Sequence, residues 1–426
     1  MRYLSGWFRS TVPQREVMKL VVRPIVEYFR FERLIAGGGG EGSGSRIANS
    51  FLSGILPETG LSVARPIIFQ GREITSGLEV CIKVIHKSTL PTSTGGERLW
   101  GELCARILHL HFHPNFLMTY GILEDAERYY LVTEVLKGGE LFNFLLQEVS
   151  VPEELCKHII RQILLSLEFL HSHNFVHRDV KPENLMFRRS IKGEKVVFPC
   201  TKEDPGPIMM ESLSRYLENY ELVLIDFDTV RMLDIPSHEY SDWQGSKRRL
   251  VGTFNYMAPE LLRGADYSPA SDLWAVGVIL FILMTGVPPV PMNEMRSASS
   301  TLETLKKVQQ KGINFDAYPL TYFPQARSLC IQLLQFQPEY RLSSATTALQ
   351  HPWLHSSNSL SAKYFVSSKI QASVFANVHP NLLTLPKVPS NSILTTPQPP
   401  RLYTPTMKTR TSSAARATTA SDLDVS

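Results

Sequence analysis

Apolar residues follow two different periods along this chain. Between residues 64 and 136 they form short runs rich in β-branched and aromatic side chains, bounded by turn residues, which is typical of strands. From residue 151 onward they recur at helical spacing, most clearly in VPEELCKHIIRQILLSLEFLHSH. Strands first and helices afterwards predict two lobes with a cleft between them. The three clearest strand segments are ARPIIFQG, EVCIKVI and RYYLVTEVL.

The longest apolar run is LWAVGVILFILMTG, from Leu273 to Gly286. It is too short to span a bilayer and directly follows Asp272, so we expect a buried core helix and no transmembrane segment.

Composition changes sharply at both ends of the chain. We expect residues 1–46 to be a poorly ordered leader that ends in the glycine/serine linker AGGGGEGSGS. Residues 47–355 are dense in periodic apolar segments and predict one folded domain, with a charged surface insertion at about 188–220. Residues 356–426 are rich in Ser, Thr and Pro and predict a disordered tail.

Charge and cysteine content narrow the function classes. The 426 residues carry a net charge of +4 with both signs mixed and no clustered basic stripe, which argues against nucleic-acid binding. The five cysteines are widely spaced without a C-x-x-C pair, so we expect reduced thiols and a cytoplasmic protein. The leader has Arg2, Arg9 and Arg15 with no acid before Glu16, so targeting to an organelle is the alternative.

One polar segment, HRDVKPEN at residues 177–184, carries groups suited to phosphoryl transfer. That reaction needs a carboxylate to orient the attacking hydroxyl, a cation near the moving phosphoryl group, and oxygen ligands for metal ions. Asp179, Lys181 and Asn184 could fill these roles. Asp226, at the end of the apolar run LVLI, is a second hard oxygen ligand suited to Mg²⁺.

A further lysine and glutamate complete the set of candidates. Lys83 lies in the strand segment EVCIKVI, where it could anchor nucleotide phosphates. Glu102 could pair with Lys83 and hold it extended. Four residues after Glu102 stands Arg106, where an aliphatic residue would suit the helix face better.

These pieces together resemble the eukaryotic protein kinase family over residues 47–355. YYLVTEVLKGGELF and HPWL are most similar to the calcium/calmodulin-dependent branch. The resemblance implies an α+β, bilobal protein kinase fold with a small β-rich N-lobe and a larger helical C-lobe. The matching motifs are V-C-I-K at 80–83, H-R-D-x-K-x-x-N at 177–184, D-F-D at 226–228, GTFNYMAPE at 252–260, D-x-W-x-x-G at 272–277, and Arg341, which matches the partner of Glu260.

The resemblance implies an ATP- and Mg²⁺-dependent Ser/Thr kinase that acts on proteins. Asp179 and Lys181 would be catalytic, Asn184 and Asp226 would bind metal, and Lys83 would contact the phosphates. The nucleotide pocket would be completed by four residues between the lobes. These are Thr133 at its back, Glu134 and Leu136 in the hinge beside adenine, and Glu140, which could meet the ribose or a basic side chain upstream of the acceptor.

The glycine-rich phosphate loop departs from the family pattern. Gly37, Gly39 and Gly42 fit G-x-G-x-x-G, but they stand far from Lys83. The segment GILPETGLSVARP at residues 54–66 is better spaced. We therefore predict Gly54, Gly60 and Val63 as nucleotide-binding residues, with the earlier glycines as the alternative.

Two other departures bear on activity. Asp228 stands where the family motif D-F-G has glycine, and this, with the irregular loop, leaves open the alternative of a pseudokinase that binds partners without catalysis. Lys247, Arg248 and Arg249 stand where many relatives carry a phosphorylatable residue, so we expect activity without phosphorylation there. Finally, AKYFVSSKIQASVFANV at residues 362–378 is a weakly basic candidate for calmodulin binding.

Overall fold

The computed structural model describes most of the chain between residues 25 and 355. The described residues divide into a sheet-based N-terminal lobe and a mainly helical C-terminal lobe, which confirms the predicted α+β bilobal fold. The described ranges are residues 25–36, 66–90, 96–147, 151–191, 216–236, 243–244, 247–248 and 250–355.

The N-terminal lobe is built on a five-stranded antiparallel sheet of strand order β1-β2-β3-β5-β4. The three strand segments predicted from the sequence fall on β2, β3 and β5, so these predictions are confirmed. The strands are β1 (Phe29–Ala36), β2 (Ile67–Glu73), β3 (Glu79–His86), β4 (Thr119–Glu124) and β5 (Arg128–Thr133).

Burial alternates along β3 because successive side chains point to opposite faces of a strand. Val80, Ile82 and Val84 are buried in a core cluster on one face of the sheet. Cys81 and Lys83 lie on the opposite face and are only partly buried. Helix α1 (Gly96–His109) packs against that second face through a separate apolar cluster.

The prediction that residues 1–46 form a poorly ordered leader is wrong for residues 25–36. A short 3₁₀ turn, Ile25–Glu27, leads into β1, which pairs with β2 from Phe29 opposite Glu73 to Ala36 opposite Ile68. Only Phe29 and Phe31 of this strand are buried. Because so few side chains face the core, the apolar alternation that identifies a strand is short here.

The C-terminal lobe contains the remaining helices around the largest core cluster. The predicted helix over residues 151–173 is α3, which begins at Glu153 and buries one face completely. The helices are α2 (Leu141–Gln147), α3 (Glu153–Ser172), α4 (Pro259–Leu262), α5 (Pro269–Thr285), α6 (Ala298–Lys311), α7 (Pro324–Leu333), α8 (Ala345–Leu349) and α9 (Pro352–His355).

The long apolar run is the central helix α5, as predicted. It is buried from Ser271 to Thr285, begins with a capping box between Ser268 and Ser271, and ends at Gly286 with a positive φ of 73°. Among the described residues, no helix is both long and apolar enough to cross a membrane. The four described cysteines are free thiols, as predicted: Cys81, Cys104, Cys156 and Cys330.

Short strand pairs position the loops between the lobes. The remaining strands are β6 (Phe175–Val176), β7 (Leu185–Phe187), β8 (Leu222–Leu224), β9 (Arg231–Met232), β10 (Trp243–Gln244) and β11 (Lys247–Arg248), and they pair as β6–β9, β7–β8 and β10–β11. The predicted insertion lies between β7 and β8, and residues 192–215 of it fall outside the described part of the chain. The predicted tail, residues 356–426, also falls outside it.

Candidate active site

The loop after β6 is held in place by a buried carboxylate on α5, that of Asp272. Asp272 accepts hydrogen bonds from the backbone N–H groups of His177 (2.9 Å) and Arg178 (3.0 Å). Its Oδ2 also lies 2.9 Å from His171 Nε2. Burial alone would raise the pKa of Asp272, but these partners hold it below its ordinary value. The loop therefore rests on an ionised side chain in the middle of the core.

Asp179 lies at the centre of this loop, surrounded by donors. Lys181 Nζ lies 2.6 Å from Asp179 Oδ2, and Thr253 donates to Oδ1 from both its hydroxyl (2.7 Å) and its backbone N–H (2.8 Å). Asn184 donates from Nδ2 to the backbone carbonyl of Asp179 at 2.8 Å and to its Oδ2 at 3.2 Å. Asp179 is thus held in one orientation, with a lysine beside it.

Asp226 is brought to the same place by the β7–β8 pair. The backbone N–H of Ile225 donates to the carbonyl of Asn184 at 2.9 Å, so Asp226 follows directly beside Asn184. Asp226 has a positive φ of 71°, and its Oδ1 lies 2.7 Å from Lys83 Nζ. Lys83 and Asp226 therefore form one contact and Asp179 and Asn184 another, and the backbone hydrogen bond from Ile225 to Asn184 joins the two pairs, although they are far apart in sequence.

Lys83 is held in its protonated, positively charged form. Burial opposes the charge on Lys83, but the carboxylates of Asp228 and Asp226 outweigh it and hold the pKa of Lys83 above its ordinary value. In return, Lys83 holds the pKa of Asp226 below its ordinary value, against the effect of burial. Lys83 and Asp226 thus place a cation and an anion side by side. The cation suits a phosphate group, and the anion suits a metal ion.

The donor set at Asn184 and Asp226 fits magnesium. Mg²⁺ prefers oxygen ligands and is usually bound by one or two carboxylates together with substrate phosphates. Asp226 supplies a carboxylate of low pKa, and Asn184 uses its amide nitrogen to bond Asp179, which leaves its amide oxygen for a metal. These two residues are the ones that would hold the ion.

The predicted ion pair between Glu102 and Lys83 is wrong in this structure. Glu102 lies on α1 and instead accepts a hydrogen bond of 2.6 Å from Arg106, one helical turn later. Arg106 also donates to Asp234 at 2.6 Å, just beyond β9. An arginine four residues away reaches the glutamate more easily than a lysine on a separate strand does.

Asp228 takes the place that Glu102 was predicted to fill. Its Oδ2 lies 2.7 Å from Lys83 Nζ, and its side chain keeps 31% of its surface exposed. Burial and the neighbouring charge of Asp226 raise the pKa of Asp228. The residue that departs from the D-F-G pattern therefore contacts the lysine predicted to bind phosphate.

Thr133 ends β5, and the predicted hinge residues Glu134 and Leu136 follow directly after it. Thr133 is buried and donates from its hydroxyl to the carbonyl of Glu134 at 3.2 Å. Leu136 is half-buried. Glu140 precedes α2, forms a β-bridge with Met186 and lies 3.4 Å from Asn143 Nδ2. These residues lie along the connection between the two lobes, where the nucleotide pocket is predicted.

The predicted glycine loop lies in a part of the chain that the structure does not describe. Gly54, Gly60 and Val63 lie outside the described residues, as do Gly37, Gly39 and Gly42. Both candidate segments belong to the connection between β1, which ends at Ala36, and β2, which begins at Ile67. Either register therefore stays a prediction.

Sequence reasoning missed one part of the site, at Arg188. Its guanidinium contacts the carboxylate of Glu134 in the hinge and that of Glu221 before β8. No spacing motif points to this arginine, because its partners stand 54 and 33 positions away.

Comparison with known proteins agrees with this geometry. Residues 66–354 match the protein kinase domain family. Calcium-dependent protein kinase 4 of Plasmodium falciparum (isolate 3D7) is 31% identical over 289 residues, which are 67% of this chain and 46% of that protein. The Caenorhabditis briggsae calcium/calmodulin-dependent protein kinase type II is 31% identical over 284 residues, 66% of this chain and 44% of that protein.

A relative of a different kind is the Aurora kinase of Schizosaccharomyces pombe, 29% identical over 289 residues, 67% of this chain and 67% of that protein. The chain spans less than half the length of the Plasmodium falciparum and Caenorhabditis briggsae relatives.

Proposed function

The chain belongs to the protein kinase family, and we propose that it transfers the γ-phosphoryl group of ATP to Ser or Thr hydroxyls of proteins. The observation that carries this proposal is the arrangement of the Lys83–Asp226 and Asp179–Asn184 pairs, which the backbone hydrogen bond from Ile225 to Asn184 joins. It contains the cation, the orienting carboxylate and the metal ligands that the reaction needs.

Each residue has a distinct role in the proposed reaction. Asp179 orients the substrate hydroxyl and takes up its proton, since the carboxylate is fixed by Thr253 and Lys181. Lys181 then neutralises charge on the phosphoryl group in transfer. Lys83 leaves Asp228 and contacts the nucleotide phosphates. Mg²⁺ held by Asn184 and Asp226 would neutralise the phosphate oxygens during transfer.

The choice of Ser/Thr over Tyr acceptors is supported by Lys181 and by the segment before Glu260. Lys181 bonds the Thr253 hydroxyl at 2.8 Å and so ties the catalytic loop to the substrate platform. Glu140 supplies negative charge at the cleft, which favours substrates with a basic residue upstream of the acceptor. The relatives matched over the kinase domain include proteins named as calcium- and calmodulin-dependent kinases.

Regulation and location stay predictions from the sequence. The candidate calmodulin segment, residues 362–378, lies outside the described residues, and so does Arg249 of the activation segment. The predicted location is the cytoplasm, with targeting to an organelle by the leader as the alternative. Activity without phosphorylation of the activation segment also stays a prediction.

The proposal is tested by supplying purified protein with radiolabelled ATP, Mg²⁺ and three basic peptides. The peptides differ only at the acceptor position, which is Ser, Tyr or, as the control without a hydroxyl, Ala. We expect transfer to the Ser peptide alone, and loss of transfer when the metal is chelated. Binding of nucleotide without transfer to any peptide or protein would instead support the pseudokinase alternative.

A further inference from the structure

Arg188, directly after β7, has its side chain enclosed by three acceptors. Nη1 donates to Glu134, Nε donates to Glu221 Oε1 at 2.8 Å, and Nη2 donates to the carbonyl of Pro114 at 2.5 Å. Only 16% of the side chain is exposed. One guanidinium thus joins the hinge, the start of β8 and the loop before β4.

The acceptor in the hinge, Glu134, is held on both sides. Its second carboxylate oxygen accepts the backbone N–H of Met118 at 3.0 Å, and its own backbone N–H donates to the Met118 carbonyl at 3.1 Å. The Glu134 side chain is 11% exposed. A carboxylate so nearly buried needs a positive partner, and Arg188 supplies it.

The backbone of Arg188 reaches the other end of the hinge. Its carbonyl accepts the backbone N–H of Lys137 at 3.0 Å, and the preceding carbonyl, of Phe187, accepts that of Gly138 at 2.9 Å. A single residue therefore contacts residues 134 and 137, on either side of Leu136. The hinge is tied to β7 at both of these points.

We propose that Arg188 is a positioning residue that fixes the hinge for nucleotide binding, an inference that rests on the proposed function. Without the guanidinium the hinge loses its fixed shape at Glu134, and the nucleotide must order it on binding. That cost weakens nucleotide affinity. Phosphoryl transfer itself is spared, because Asp179 is oriented by Lys181, Thr253 and Asn184 and not by Arg188.

The test compares Arg188→Ala, Arg188→Lys and the control Arg189→Ala, which removes the exposed neighbouring arginine. For each variant the melting temperature, the kcat, the KM for ATP and the equilibrium Kd of a fluorescent ATP analogue are measured. We expect Arg188→Ala to raise both KM and Kd by roughly tenfold, the usual effect of losing a charged hydrogen bond, with kcat nearly unchanged. Arg188→Lys should recover part of the affinity, and Arg189→Ala should match the wild type.

A lower kcat with unchanged Kd, a lower melting temperature with unchanged Kd, or an equal effect of Arg189→Ala would each overturn the inference. If Arg188→Ala does not fold, Arg188→Gln carries the same comparison, because it removes the charge from the contact with Glu134. If the wild type binds nucleotide but transfers no phosphate, the proposed function fails, and the Kd values still decide the role of Arg188.

Discussion

At the scale of single residues, Asp228 stands where the family motif D-F-G has a glycine. The described non-glycine residues with positive φ are Asn174, Arg178 and Asp226, so the backbone at Asp228 does not need a glycine. The substitution therefore acts through its side chain, which contacts Lys83 at 2.7 Å. If Lys83 contacts the nucleotide phosphates as proposed, Asp228 would compete with them for the lysine.

Replacing this carboxylate by a neutral side chain of the same shape should strengthen nucleotide binding. Since Asp228→Asn removes one of the two negative charges beside Lys83, we expect the Kd for ATP to fall by roughly threefold to fivefold, as for a partly exposed ion pair. The Kd is measured by titration with a fluorescent nucleotide in the presence of Mg²⁺. Asp316→Asn is the control, because Asp316 is an exposed aspartate on the C-terminal lobe whose partner, Arg327, is partly exposed. An unchanged or higher Kd for Asp228→Asn would show that Asp228 does not compete with phosphate.

Much of the candidate active site could be predicted from the sequence residue by residue, and the prediction that failed did so for a physical reason. Asp179, Lys181 and Asn184 lie within one eight-residue loop, so local sequence fixes their spacing. The partner of Lys83 could not be predicted, because Glu102 and Asp228 both had the right charge. Which of them reaches the lysine depends on where α1 lies, and that is a tertiary property.

At the scale of elements, α1 carries Glu102, the residue predicted to pair with Lys83. Arg106 connects this helix to Asp234 beyond β9 and neutralises Glu102 on its own face. Glu102 thus pairs with Arg106, while Lys83 pairs with Asp226 and Asp228. The helix is thus fixed by a residue that the family pattern would make aliphatic.

Removing this arginine should allow Glu102 to approach Lys83. We expect Arg106→Leu to raise kcat/KM for peptide phosphorylation severalfold, because Glu102 would then replace Asp228 as the partner of the lysine. Steady-state kinetics measure the change, and Arg161→Leu, an exposed arginine on α3, is the control. A fall in kcat/KM for Arg106→Leu alone would mean that Arg106 holds α1 in its productive position.

Elements with a strong apolar period were predictable and the one with a weak period was not. α3 and α5 bury long continuous faces, so their patterns are unambiguous. β1 lies at the edge of the sheet and places charged Arg30, Glu32 and Arg33 in an otherwise strand-like segment. Charges are common on edge strands, where they discourage pairing with other chains, and here they obscure the strand.

At the scale of the whole molecule, a buried ion pair joins the substrate platform to the end of the domain. Arg341 Nη1 and Nη2 lie 2.7 and 2.9 Å from the two carboxylate oxygens of Glu260. The side chains are 0% and 8% exposed. Arg341 also lies over the ring of Trp274, in the first half of α5. This is the partner that the sequence motif indicated for Glu260.

Breaking this pair should destabilise the C-terminal lobe strongly. We expect Arg341→Ala to lower the free energy of unfolding by about 3–5 kcal/mol, because it leaves Glu260 buried without its partner. Urea denaturation followed by circular dichroism measures the loss. Lys307→Ala, which removes an exposed helical pair with Glu303, should leave the free energy of unfolding nearly unchanged. Equal losses in the two variants would contradict the structural role of the buried pair.

The central claim is that Asp179 is the base in phosphoryl transfer, and a single-turnover assay tests it most directly. Wild type and Asp179→Asn are each mixed in excess over radiolabelled MgATP with a saturating Ser peptide, and nucleotide affinity is measured in parallel. The account predicts a transfer rate about 10²–10⁴-fold lower for Asp179→Asn, with unchanged nucleotide affinity and melting temperature. A transfer rate equal to that of the wild type would contradict it.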